Sequence, residues 1–328
     1  MGVTTASVWT KALLKAGKSS DTPAALIRRC SHGDQQTIHC RLDEVADRLT
    51  PASKFRPPVI TILGPVTELA ETMNWLERRP LFGQTVLVTR PADQAEALAA
   101  PIRDLGANVL LQPAIDIGPP DDWSDVDLVI EQIESIDVLV FCSRNGVRYF
   151  LDRLFDSKDV RCLASVSIAV VGAKTAEALR DYHLRANIVP PNFHAKSLAQ
   201  ILAQDCAGKH FTIVRASRGD DVFDEPLQTA GANVKQVIAY KHSDVLTPDP
   251  SIVEAMKAGR IDWVTVTSSA TALSLYQMFG DTLKQTKLAC LSPVTAKAVR
   301  GLGLHVHAEA NPYTVDSLIA SIRNPPTT

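Results

Sequence analysis

The chain has 328 residues, 45% apolar and 21% charged, with a formal net charge of −2. That is enough for about two globular domains, with no basic excess to draw nucleic acid and no apolar run near the roughly 18–20 residues of a membrane span. Six scattered cysteines without a Cys-x-x-Cys argue against zinc and against a disulfide framework, and a lysine-broken N-terminus lacks a secretory core, so the chain reads as cytoplasmic with no membrane partner.

In chain order, "VWTKALLKAGK" predicts a helix ended by Gly17. "AALIRRC" and "QTIHCRL" read as a strand pair, "LDEVADRL" as a helix and "PPVITILGPV" as a strand opened by Pro57 and Pro58. These strands lack the partners to bury a full core, so residues 1–80 read as half of something. From residue 81 the chain alternates short Val/Ile-rich runs with polar turns and helical periods. The runs are Val86–Val88, Val138–Phe141, Ile168–Val171, Ile213–Val214, Val264–Val266 and Leu288–Leu291. Alternating strands and helices imply parallel sheets covered by helices.

The second half repeats the first. "QTVLVTRPADQAEALAAPIRDLGANVLLQPAI" (84–115) runs parallel to "KHFTIVRASRGDDVFDEPLQTAGANVKQVIAY" (209–240), 125 residues on. "IDVLVFCSRNGVRYFLDRL" (136–154) matches 261–279 at the same offset, and "IAVVGAKTAEALRDYHL" (168–184) matches 288–304 at 120. One unit of about 120 residues is therefore duplicated, too long a period for a solenoid. The expected fold class is α/β, with two similar parallel-sheet domains and an N-terminal partial α/β domain.

Ligands of open α/β sheets bind beyond the carboxyl ends of the strands. The turns there carry Thr89-Arg90, Ser143-Arg144, Lys174-Thr175, Arg215-Ala216-Ser217, Ser268-Ser269 and Ser292-Pro293-Val294-Thr295. Hydroxyls and free N–H groups at helix starts favour an anion, and six such turns suit a polycarboxylate or polyphosphate. The plain alternative is that each Ser or Thr caps its own helix and each arginine is solvated. There is no glycine-rich dinucleotide or P-loop fingerprint and no Gly-x-Ser-x-Gly elbow. The eight histidines form no His-x-x-x-His pair; His305 and His307 read as structural. No metal, cofactor or covalent nucleophile is implied, so catalysis would rest on positioning and electrostatics.

Residues 81–326 resemble the uroporphyrinogen-III synthase family. The resemblance lies in "VLVTRP", "VLVFCSRNGV", "IAVVGAKTAEAL", "VIAYK", "WVTVTSSATA", "LSPVTAKAV" and "YTVDSLI", in family order. Cys142 and Ser292 stand where threonine and glycine are common in the family. Residues 1–80, through "MGV", "ALLKAGKSSDTPAALI" and "PPVITILGPVTEL", resemble the C-terminal part of uroporphyrinogen-III C-methyltransferase, without its glycine-rich half. No methyltransferase activity is expected; a fragment, a decayed fusion and a misplaced start remain open.

The resemblance implies a domain from 81–112 plus 246–326, a second from 123–238, and a two-stranded connector formed by 113–122 and 239–245. It implies a hydro-lyase that cyclises the linear tetrapyrrole hydroxymethylbilane to uroporphyrinogen III, on the way to haem, sirohaem and cobalamin, with neighbouring tetrapyrrole-pathway enzymes as partners. Loss of the terminal hydroxyl gives an azafulvene, which attacks the far pyrrole; a spiro intermediate opens and recloses with the last ring inverted. Tyr240 matches the family's connector tyrosine and is the expected proton donor. Thr175, Ser268, Ser269 and Thr295 are expected to bind substrate, with Ser143, Arg90, Arg144, Lys174 and Arg215 as further candidates. Two readings compete with this: a non-catalytic two-domain binder of an anionic ligand, and the remnant of a methyltransferase–synthase fusion. For Tyr240 itself the plain alternative is a packed aromatic.

Overall fold

The computed structural model describes residues 2–50, 52, 53, 55–219 and 221–325. Met1, part of the quoted "MGV", and residue 326, at the end of the expected first domain, lie outside them.

Near the N-terminus, helix Ala6–Lys15 precedes strands β1 (Pro23–Arg28), β2 (Gln36–Arg41) and β3 (Val59–Leu63). Gly17 takes the left-handed φ of +90° that ends the helix. The strands form an antiparallel sheet in the order β2-β1-β3, with Leu26 opposite Ile38 on one side and Thr61 on the other. The "LDEVADRL" helix is a 3₁₀ turn followed by one α turn, Val45–Arg48. A small core of Ala6, Ala24, Leu26, Val45, Leu49, Phe55 and Val59 lies on one side of the sheet.

The rest of the chain alternates strands and helices. The strands are β4 (Thr85–Val88), β5 (Asn108–Leu111), β6 (Ile115–Gly118), β7 (Val138–Phe141), β8 (Ser167–Val170), β9 (His210–Ala216), β10 (Asn233–Asp244), β11 (Trp263–Val266), β12 (Lys287–Cys290) and β13 (Ala308–Glu309). They form two five-stranded sheets, β13-β12-β11-β4-β5 and β6-β10-β9-β7-β8. The β11–β12, β4–β5, β7–β8 and β9–β10 pairs are all parallel. Residues 1–115 with 244–328 make one compact unit, and 116–243 the other.

The strands read as unbroken apolar runs because helices cover both faces of each sheet. In β7, Leu139 and Phe141 enter one core and Val138 and Val140 the other. In β4, Val86 and Val88 face one core and Leu87 the opposite one. Each fully buried side chain of this kind contributes about 1.5–3 kcal/mol. A register slip of one residue would exchange the two sets, so these strands lock the positions of the turns that follow them.

The Gly-Ala-Asn repeat has a structural cause. Gly106 and Gly231 adopt left-handed φ values of +94° and +88° just after helices Ala92–Asp104 and Asp224–Thr229. Asn108 and Asn233 then open β5 and β10. Only glycine takes that φ without cost, so both copies reverse direction with the same word.

Candidate active site

Each unit gathers the turns singled out from the sequence at the carboxyl edge of its own parallel sheet. In the 116–243 unit, Ser143 and Arg144 follow β7, Lys174 and Thr175 follow the neighbouring β8, and Arg215 lies at the end of β9. In the other unit, Arg90 follows β4, Ser268 and Ser269 follow β11, and Thr295 follows β12, again on adjacent strands.

Several hydroxyls serve as caps. Ser143 Oγ accepts the Gly146 N–H at 3.0 Å, Ser268 Oγ that of Thr271 at 3.1 Å, and Ser292 Oγ that of Thr295 at 3.3 Å. Ser269 is the half-buried first residue of helix Ser269–Phe279. Thr175 and Thr295 are buried, and the Thr295 hydroxyl is bonded to Ser292 at 3.0 Å. Thr89 is not a cap; its hydroxyl donates to the Thr265 carbonyl and ties β4 to β11.

The cations differ among themselves. Arg215 is engaged within its unit, donating to Gln236 Oε1 at 2.7 Å and to the Gly219 carbonyl. Arg90 donates to Gln94 Oε1 at 2.9 Å. Arg144 and Lys174 are exposed, with no side-chain partner among the described residues. Both occupy first-turn positions of helices, Arg144–Phe155 and Ala173–Ala178. A cation at the positive end of a helix is electrostatically unfavourable, so local stability does not explain either.

Tyr240 sits on β10 where the pairing with β9 shifts: Ile238 pairs with Arg215 and Tyr240 with Ala216, leaving Ala239 as a bulge. Strand alternation breaks there, and Ala239 and Tyr240 are both buried. Ala239 enters the hydrophobic core, while the Tyr240 hydroxyl lies 2.8 Å from Ser143 Oγ. The Tyr240 ring stacks on Tyr149 at 5.9 Å and 9°, and meets the edge of His242 at 5.3 Å. Arg148 lies 4.7 Å from the centre of the Tyr149 ring. Burial pushes the Tyr240 phenol up from its ordinary value, which the Ser143 hydroxyl partly offsets. Beside these groups is a cavity of about 180 Å³, lined by Cys142, Ser143, Arg215, Tyr240 and His242 among others.

A model of the uroporphyrinogen-III synthase HemD family matches residues 96–320, more than half of the chain. The chain belongs to the uroporphyrinogen-III synthase family. It is 32% identical over 261 residues to a uroporphyrinogen-III synthase of Synechococcus elongatus, covering 75% of this chain and 97% of that one. A porphyrin biosynthesis protein HemD of Ruminiclostridium josui is 26% identical over 324 residues; the match takes in 97% of this chain, which spans 64% of that protein's length. The crystal structure of a mutant uroporphyrinogen III synthase from Thermus thermophilus matches with a TM-score of 0.51 at 20% identity, over 73% of this chain and 97% of that one, a likeness of fold. The two-domain α/β class expected from the sequence is the one these synthases share.

Sequence reasoning missed Tyr149 and His242 as neighbours of Tyr240. The spacing of Tyr240 and His242, two apart on one strand, carries a signal. Nothing local marks Tyr149, which reaches Tyr240 from a helix 91 residues earlier. His305 and His307 meet edge to face at 4.5 Å, and His307 Nδ1 accepts the Leu288 N–H at 3.2 Å, a structural use.

Proposed function

We infer that the chain performs the synthase reaction through Tyr240 as proton donor, with turn residues at the strand ends as ligands of the substrate carboxylates. The activity is that of the family: hydroxymethylbilane is cyclised to uroporphyrinogen III with loss of water and inversion of the last ring, the work of a hydro-lyase. The observation that carries the donor reading is a buried phenol, kept protonated, whose oxygen is fixed by Ser143 at the carboxyl edge of a parallel sheet.

The chemistry asks little more. A proton delivered to the terminal hydroxyl lets it leave as water. The resulting azafulvene must then meet the substituted carbon of the far pyrrole, because unassisted closure does not invert the ring. Arg144 and Lys174 supply charge for the substrate carboxylates, supported by their exposure without partners among the described residues; Ser269 supplies a hydroxyl and a backbone N–H at a helix start, and Thr175 and Thr295 supply hydroxyls. Ser268, Arg90 and Arg215 complete the set, with their local bonds as an additional role.

We read 81–112 with 246–326 as one synthase domain, 123–238 as the other, and residues 1–80 as a methyltransferase-like half-domain without methyltransferase activity. A uroporphyrinogen-III C-methyltransferase of Bacillus subtilis, 26% identical over 193 residues, supports the methyltransferase likeness. The same reading puts the chain in the cytoplasm, beside neighbouring tetrapyrrole-pathway enzymes.

The test supplies freshly made hydroxymethylbilane and measures the isomer ratio of the product. Isomer III should predominate; isomer I alone, as without enzyme, would sink the reading. Tyr240→Phe should slow isomer III formation by about ten- to a hundredfold without abolishing it, at the low end for a general acid because positioning remains. An unchanged rate removes Tyr240 as the donor.

A further inference from the structure

Among the described residues, three serines cap helices that follow parallel strands, and one of them differs. Ser268 caps Thr271 and bonds the Thr271 hydroxyl at 2.9 Å. Ser292 caps Thr295 and bonds the Thr295 hydroxyl at 3.0 Å. Ser143 caps Gly146, which has no hydroxyl to offer, and its second partner is Tyr240 Oη at 2.8 Å. Among the described residues it has no third partner.

Backbone geometry does not demand a glycine at 146. Its φ lies outside the left-handed region, and an added Cβ would meet Val214 at 3.4 Å, ordinary contact at the nearest atom. What the glycine does is leave the Ser143 hydroxyl uncontested. A serine hydroxyl has one proton and two lone pairs. One lone pair takes the Gly146 N–H, which fixes Oγ; the proton and the other lone pair are left for the phenol.

We propose that Ser143 is a positioning residue for Tyr240: its hydroxyl holds the phenol in place and donates to the phenol oxygen as Tyr240 gives its proton to the departing hydroxyl. The proposal rests on the donor reading of Tyr240. In the step, the Tyr240 O–H bond breaks, the C–O bond of the substrate's terminal hydroxymethyl breaks with its electron pair, and water leaves. A phenolate remains on Tyr240, holding the Ser143 proton in a charge-assisted hydrogen bond. It regains a proton from the pyrrole carbon that loses one when the closed ring re-aromatises. Buried phenolate is costly, and a fixed donor at 2.8 Å offsets part of that cost only once the charge forms. In this role Ser143 is not a carboxylate ligand of the substrate.

Ser143→Gly deletes the hydroxyl, and glycine still tolerates the N-cap position with small loss. It should lower kcat about tenfold with KM within about twofold, the size and split of a lost hydrogen bond to a charge that exists only in the transition state. In the Tyr240→Phe background the same change should have little further effect, since the two act as one unit. Ser143→Thr should recover most of the rate. If Ser143→Gly does not fold, Ser143→Asp keeps a strong cap but offers only acceptors, and should lower kcat at least as far. A rise in KM that is additive with Tyr240→Phe, or unchanged kcat in Ser143→Gly, overturns the proposal and leaves the donor reading standing. A full rate in Tyr240→Phe overturns the donor reading, and this inference with it.

Discussion

Burial sets the protonation of two thiols at the carboxyl ends of strands. The Cys290 thiol is buried in β12, and desolvation, with the nearby Glu309 carboxylate, pushes it up to about 12. Cys142 is pushed up to about 11, also chiefly by burial. A group whose folded value is raised holds its proton after the unfolded chain has lost it. Stability from such a group is therefore complete below the unfolded value of 9.0 and declines as pH rises above it. Unfolding should cost about 1 kcal/mol less at pH 10 than at pH 7 through Cys290 alone. Denaturant titrations of wild type and Cys290→Ala at both pH values test this: the variant, though less stable at pH 7, should lose less between them. At the same scale, Arg144→Ala and Lys174→Ala should each raise KM about tenfold with a smaller change in kcat, the size of one charge-assisted carboxylate contact. Steady-state kinetics that show no KM change would leave these cations as solvated surface groups.

The helix start is the element on which structural and functional readings compete. Ser268 caps the helix Ser269–Phe279 through the Thr271 N–H. Ser268→Ala should cost about 1 kcal/mol of stability and Ser268→Gly only a few tenths, because glycine tolerates the N-cap position better. If both variants instead raise KM equally while Ser268→Ala melts like wild type, the serine belongs to the substrate and not to the helix. The other decisive element is β10. A bulge at Ala239 turns Tyr240 to the Ser143 side while Ala239 fills the core. Repeat alignment places Ile115 at the equivalent position in the first copy, and Ile115 is buried at the start of β6. One word in two copies thus ends in packing once and in a phenol beside a cavity once.

At the scale of the whole molecule, the two units share a strand order that the chain reaches by different routes. The order β12-β11-β4-β5 repeats as β8-β7-β9-β10, yet β4 and β5 precede the other unit in sequence whereas β9 and β10 follow β7 and β8. The isolated bridge from Ala169 to Ile188 stands where β13 stands in the other sheet. The N-terminal segment joins the discontinuous unit. The Gly33 carbonyl accepts the Gly83 N–H at 3.0 Å, and a Cβ at Gly33 would overlap the backbone of residues 106–108. Its sheet also exposes Ile60 and Ile62, the latter lining a cavity with the exposed Met73 and Trp75. Deleting residues 1–75 should leave turnover unchanged and reduce self-association, since no proposed site residue lies there and an exposed apolar face is removed. Activity assays with light scattering check both; lost turnover in a folded variant would give the segment a part in catalysis.

Much of the fold was legible in the sequence. Unbroken Val/Ile runs fix buried parallel strands, Gly-Ala-Asn fixes the turns, and the 125-residue offset fixes the duplication, because each depends on local sterics or on burial of both strand faces. The turns that carry Ser143, Thr175, Ser268 and Thr295 follow from the same pattern. The sequence alone could not say that Ser143 meets Tyr240, 97 residues away, or that Tyr149 stacks on its ring. Those contacts depend on a bulge and on the order of strands in a sheet. Both are set by long-range pairing, which leaves no period in the sequence to read.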